Sequence, residues 1–132
     1  MRIEHVGLWV HDLEQMKAFY QTMFQATAGE LYENHKKGFQ SYFLTFEEGA
    51  RLEIMHQDSE MDGLAVKGQY AHLALSVGSE AMVDELVAKF QAQGLPLLNG
   101  PRVTGDGYYE AVVQDPEQNL IGLRFQSVKL VL

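Results

Sequence analysis

The spacing of apolar residues changes period several times along the chain, and each change marks an element. Ile3 to Val10 is dense in β-branched and aromatic residues and predicts a strand. Asp12 then reads as a helix N-cap, with Gln15 as its capping-box partner. Leu13, Met16, Phe19, Tyr20, Met23 and Phe24 follow at helical spacing, so residues 13–24 are expected to form an amphipathic helix. A weaker strand is expected near residues 26–33. The runs Gln40 to Phe46 and Arg51 to His56 flank Glu47-Glu48-Gly49-Ala50, the pattern of a hairpin with a glycine-containing loop.

The same order then recurs. Tyr70 to Val77 predicts a strand, Ser79 a cap, and residues 80–92 a helix with Met82, Val83, Leu86, Val87 and Phe90 on its apolar face. Gly94 stands where a helix commonly ends in a left-handed residue. A short strand near 96–98, a strand Tyr108 to Gln114 and a strand Leu120 to Gln126 complete the series. The last two are joined by Asp115-Pro116-Glu117-Gln118-Asn119, where Pro and Asn favour a turn for separate reasons. His5-Val-Gly-Leu-Trp-Val aligns with His72-Leu-Ala-Leu-Ser-Val, so the chain reads as strand, helix and three strands, twice over. The expected organisation is a single domain, residues 1–132, with module one at about 1–57, a polar linker at about 58–69 and module two at about 70–132.

Composition narrows the function classes. At 132 residues and 46% hydrophobic content, the chain can bury one real core. A net charge of −8 with scattered basic residues would repel a phosphate backbone, which argues against nucleic acid. With no cysteine, a metal would have to be held by imidazole, carboxylate and water. No apolar run is long enough to cross a membrane and the N-terminus lacks a signal-peptide core, so a cytoplasmic protein is expected.

Of the five histidines, His5 and His72 occupy the same place in each half, near the start of the first strand. Strand alternation places His5 on one face with Gly7 and Trp9, and His72 with Tyr70 and Ala74. Neutral imidazoles in such a pair suit a transition ion. Glu53 is a third candidate, since a carboxylate among Leu52, Ile54 and Met55 must face solvent or have a partner. A pairing with Arg51 on the same face would explain it equally well. If each half supplied a histidine and a glutamate, a second glutamate should stand in the last strand, but aligning Leu52-Glu53-Ile54 with Ile121-Gly122-Leu123 puts Gly122 there.

Four segments, HVGLWVHDLEQMKAFYQTMF, RLEIM, YAHLALSV and DPEQNLIGLRF, closely resemble in order and spacing the signatures of the glyoxalase, bleomycin resistance protein and extradiol dioxygenase group of the vicinal oxygen chelate superfamily. The resemblance covers almost the whole chain. It implies an α+β fold of two paired βαβββ modules forming a curved mixed sheet around a shared cavity. It also implies one divalent ion (Zn, Ni, Fe, Mn or Co) held by His5, Glu53 and His72, with Gly122 at the fourth ligand place. Gln118 is a smaller departure, since the family usually has glycine before the asparagine. Relatives often form homodimers and sometimes exchange halves, so that ligands can be drawn from two chains.

The departure at Gly122 bears on the reaction. In glyoxalase I the carboxylate from the last strand is thought to act as a base toward substrate, and here it is missing. If Gln114 lies opposite Leu120, then Val112 faces Gly122 and Glu110 faces Arg124, placing Glu110 on the face of Gly122. Glu110 is therefore a candidate base or replacement ligand, and a cross-strand ion pair with Arg124 is the simpler expectation. The implied function is a glyoxalase-like metal-dependent lyase or isomerase acting on a small substrate with vicinal oxygens. A metal-dependent dioxygenase, a thiol transferase, or a non-catalytic sequestering protein of bleomycin-resistance type are the alternatives, because fold does not settle function.

Overall fold

Both predicted helices form, because their signals are local. In the computed structural model, which describes residues 2–58, 70, 72–105 and 107–126, α1 spans Leu13–Phe24 and α2 spans Glu80–Ala92. Asp12 caps α1 by accepting the Gln15 N–H at 3.0 Å, and Ser79 caps α2 by accepting the Met82 N–H at 3.0 Å. The first helix ends in Gln25, a left-handed residue whose N–H returns to the Tyr20 carbonyl. Each helix buries one stripe: Leu13, Met16, Phe19, Tyr20 and Met23 in α1, and Val83, Leu86, Val87 and Phe90 in α2.

The chain divides into two units, residues 1–69 and 70–132, and each packs one helix on one sheet. In the first, β1 (His5–Trp9) runs parallel to β5 (Arg51–Gln57), which runs antiparallel to β4 (Phe39–Thr45). The edge beyond β4 is made by β2 (Thr27–Ala28) and β3 (Tyr32–Asn34). One more residue separates Ala28 from Tyr32 than separates their partners Leu44 and Ser41, so these two are a single strand interrupted by a bulge. In the second unit, β6 (Leu73–Ser76) runs parallel to β9 (Leu120–Phe125), which is antiparallel to β8 (Tyr109–Gln114), itself antiparallel to the edge strand β7 (Leu97–Val103). The two units thus share one strand order, as expected of a repeated βαβββ module.

Two predicted strands change length. The strand expected from Tyr70 begins at Leu73, and Tyr70 is 89% exposed. The strand expected at 96–98 extends to Val103, although Gly100-Pro101 reads as a stop. An edge strand tolerates proline because only one of its sides is paired, and two register shifts against β8 absorb the irregularity. The predicted linker beyond Asp58 lies outside the described residues. No helix is long and apolar enough to cross a membrane among those residues.

Sheet alternation sorts each unit into a helix face and an open face. Leu44, Leu52 and Ile54 are buried on the α1 side of the first sheet, as Ala111, Val113, Ile121 and Leu123 are on the α2 side of the second. Each of the leucine, isoleucine and valine side chains among them contributes about 1.5–3 kcal/mol by leaving water. The registers leave His5, Gly7, Phe43 and Glu53 on the opposite face of the first sheet, and Ala74, Glu110, Val112, Gly122 and Arg124 on that of the second.

One glycine is demanded by geometry. Gly100 has φ +80°, and a Cβ there would collide with the backbone carbonyl oxygen of Glu110. Gly100→Ala should therefore lower the unfolding free energy by at least about 2 kcal/mol, from left-handed strain plus the collision. Urea unfolding would measure it, and an unchanged midpoint would mean that β7 relaxes freely at this bend.

Candidate metal centre

The parallel pairing of β1 with β5 brings two of the expected ligands together. Gly7 lies opposite Glu53, and His5 stands two residues earlier on the same face. The flexible end of Met55 lies over Gly7, where a Cβ would meet it at 2.9 Å. His5 Nε2 and Glu53 Oε1 are 3.7 Å apart, with the histidine 41% and the glutamate 16% exposed. Two donors bound to one ion at usual lengths and near-tetrahedral angles stand about 3.4 Å apart. Small side-chain rotations bring this pair to that separation, so these two donors have a spacing that one divalent ion can bridge.

The other nitrogen of the His5 ring is also engaged. Its Nδ1 lies 3.1 Å from Glu4 Oε1. Arg51 donates to both oxygens of the Glu4 carboxylate, through Nε at 3.0 Å and Nη2 at 2.5 Å. These hydrogen bonds from Arg51, and then that from His5, hold the Glu4 carboxyl down to about 2. The Arg51 guanidinium lies over the Phe43 ring at 4.1 Å, and the same ring meets His5 edge-on at 5.1 Å. Arg51 thus makes its direct contacts with Glu4 and Phe43 and acts on Glu53 only through space.

His72 belongs to the second unit, where it is exposed one residue ahead of β6. Ala74, two residues after it, lies opposite Gly122, just as Gly7, two residues after His5, lies opposite Glu53. Gly122 is thus the topological counterpart of Glu53, the equivalence that the sequence alignment proposed. A Cβ at position 122 would meet its nearest neighbours, Leu73 O and Ala74, at 3.8–3.9 Å, which is ordinary contact. The position can accept a side chain.

Glu110 lies opposite Arg124 and Val112 opposite Gly122, the register expected from the turn. The Glu110 carboxylate forms an ion pair with Arg124 Nε, and the Arg124 guanidinium covers the Tyr108 ring at 3.8 Å. Glu110 is thus on the face of Gly122, held by a cation. Among the remaining histidines, His35 pairs with Glu33 at 2.9 Å at the surface. His56 lies on the opposite face of β5 from Glu53, with Nδ1 3.0 Å from the Val10 carbonyl. His11 is exposed. Among the described residues, no three His, Asp or Glu side chains converge as a preformed cage.

The strand pattern gives Glu4 no place at the site and gives Arg51 only that of a partner for Glu53. Adjacent strand residues face opposite ways, so Glu4 would be assigned away from His5. It precedes β1, however, and escapes that alternation. Its place is fixed by a contact distant in sequence, the Arg51 N–H donating to the Glu4 carbonyl at 2.9 Å. The available signal is an opposite-charge pair, Glu4 just ahead of β1 and Arg51 at the start of β5.

Residues 2–123 match the model of the Glyoxalase/Bleomycin resistance protein/Dioxygenase superfamily. A glyoxylase/bleomycin resistance protein/dioxygenase domain from Frankia sp. EAN1pec superposes with a TM-score of 0.80 at 15% identity, covering 96% of this chain and 92% of that one. A trypanothione-dependent glyoxalase I from Leishmania major gives 0.74 at 22% identity, covering 93% and 85%. A fosfomycin resistance protein from Listeria monocytogenes gives 0.69 at 22% identity, covering 95% and 91%. No curated protein matches the chain. Two capped helices, two sheets of one strand order and the family match over nearly every residue agree: the chain belongs to the Glyoxalase/Bleomycin resistance protein/Dioxygenase superfamily.

Proposed function

We propose that this protein is a divalent-metal-dependent enzyme, of lyase or isomerase type, acting on a small substrate with two adjacent oxygens. His5, Glu53 and His72 are the proposed ligands. The observation that carries the reading is the His5–Glu53 pair, with a ring nitrogen and a carboxylate oxygen 3.7 Å apart on the open face of the first sheet. Membership of a family whose solved relatives include a glyoxalase I supports the substrate class. Small-molecule binding and assembly as a homodimer go with the same reading.

A divalent ion in such a site supplies Lewis acidity to substrate oxygens on which negative charge develops. His5 and Glu53 fix its place from β1 and β5, two paired strands rather than loops, which limits drift of the donors. Proton movement falls to a carboxylate or water. The Arg124 ion pair engages Glu110 Oε2, which lowers its basicity as a base and leaves Oε1 as the oxygen that could serve as a replacement ligand. That engagement, with Gly122 in the place of a glutamate, favours a second reading in which the protein sequesters its ligand without turnover. Two histidines and one carboxylate also suit iron-dependent oxygenation.

Metal analysis of protein purified without chelators tests the proposal. Near-stoichiometric zinc, nickel, iron, manganese or cobalt is expected in the wild type, with loss of that metal in His5→Ala. A wild type that takes up none of these ions on titration would refute the metal reading and leave sequestration.

A further inference from the structure

We propose that Glu4, clamped by Arg51, holds the His5 imidazole in its Nδ1–H form and so directs an unprotonated Nε2 toward Glu53 as the ligand atom. This deepens the metal reading above and rests on it. Glu4 is a positioning residue here, acting through His5.

The His5 ring lies between two carboxylates, one at each nitrogen. A carboxylate only accepts hydrogen bonds, and a neutral imidazole has one N–H and one bare nitrogen. Whichever carboxylate accepts the hydrogen bond from the ring N–H therefore decides which nitrogen is free for a metal. Glu4 Oε1 stands 3.1 Å from Nδ1, within hydrogen-bonding reach, whereas Glu53 Oε1 stands 3.7 Å from Nε2, beyond it. The geometry thus assigns the proton to Nδ1. Histidine ligands generally need such an outer partner, which sets the tautomer and raises the basicity of the ligating nitrogen.

Glu4 could do this only if it were itself held, since an exposed glutamate has many rotamers. Arg51 supplies the restraint through its two-pronged grip on the carboxylate and through the backbone bond between the same two residues. Phe43 completes the arrangement by packing against both the Arg51 guanidinium and the His5 ring. With Glu4 removed, nothing at Nδ1 competes with Glu53 for the ring proton. The ring would then turn an Nε2–H toward Glu53, and that proton would block the metal.

The test compares wild type, Glu4→Ala, Glu4→Gln and Arg51→Met. Ring nitrogen-15 shifts of His5 in the metal-free proteins, at a pH where the ring is neutral, report the tautomer. Zinc titration reports affinity. We expect Nδ1–H in the wild type and a change to Nε2–H in Glu4→Ala, with zinc affinity about tenfold weaker. Glu4→Gln keeps an acceptor oxygen, and Arg51→Met keeps the carboxylate, so both should fall between. Thermal midpoints should barely change, because Glu4 is exposed. An unchanged tautomer in Glu4→Ala would overturn the proposal, as would an altered tautomer with wild-type zinc affinity. Should the wild type bind no zinc, the metal reading fails, and the tautomer comparison still decides whether Glu4 sets the ring.

Discussion

Gly122→Glu should tighten zinc binding by on the order of a hundredfold, equivalent to about 2.7 kcal/mol. The reasoning begins with alternation along β9. Ile121 and Leu123 are fully buried on the α2 side, so position 122 points to the opposite face. There it stands opposite Ala74, as Glu53 stands opposite Gly7. The nearest atoms to a new Cβ are at 3.8–3.9 Å, and the backbone is not in the left-handed region, so a glutamate meets no barrier at its base. A fourth protein ligand would complete the two-histidine, two-glutamate set implied by the family resemblance. Without metal the added carboxylate is a poorly hydrated charge and should destabilise the protein modestly. The variant should therefore show a wider gap between metal-free and zinc-loaded melting temperatures than the wild type, since binding to the native state alone stabilises it. Gly122→Gln, which is nearly the same size and uncharged, should reproduce neither effect. Equal zinc affinity in wild type, Gln and Glu proteins would show that position 122 does not look toward the ion.

Parts of this molecule governed by local rules were legible in its residues. Asp12 and Ser79 announce helix starts because a side-chain oxygen three residues ahead of a backbone N–H needs no distant partner. The Gly122 vacancy followed from comparing two halves of one chain, and the strand registers give the same equivalence. What was hidden depends on neighbours far away in sequence. Pro101 signals a break, and only the edge position of β7 lets the strand continue through it. The strand near 26–33 was legible, but its bulge was not, since the extra residue is defined only against β4. Glu4 escaped notice for the same reason, its carboxylate being placed by Arg51 across a parallel pair. Glu110 shows the opposite case, where setting Gln114 opposite Leu120 across the turn gives the pairing with Arg124 that the strands adopt.

That register can itself be tested at the turn, where one buried side chain gathers several hydrogen bonds. Asp115 is 2% exposed, and its carboxylate accepts the backbone N–H groups of Glu117 and Asn119, both at 2.9 Å, together with the Asn119 side-chain amide. Asp115→Ala would remove an ionised acceptor and leave those donors in a partly buried turn without it. Losing several charge-assisted hydrogen bonds at once should cost about 3 kcal/mol, or roughly 10 °C in melting temperature. Asp115→Asn keeps one acceptor oxygen and should lose about half as much. The functional consequence follows from alternation, since a slip of one residue between β8 and β9 would turn Gly122 and Arg124 away from the face they now share with Glu110. Combining Asp115→Ala with Gly122→Glu should therefore reduce the gain in zinc affinity expected of the latter alone. If the double variant keeps the full gain while being destabilised, the turn contributes to stability only, and the register must be set by the packing of Ala111, Val113, Ile121 and Leu123 against α2.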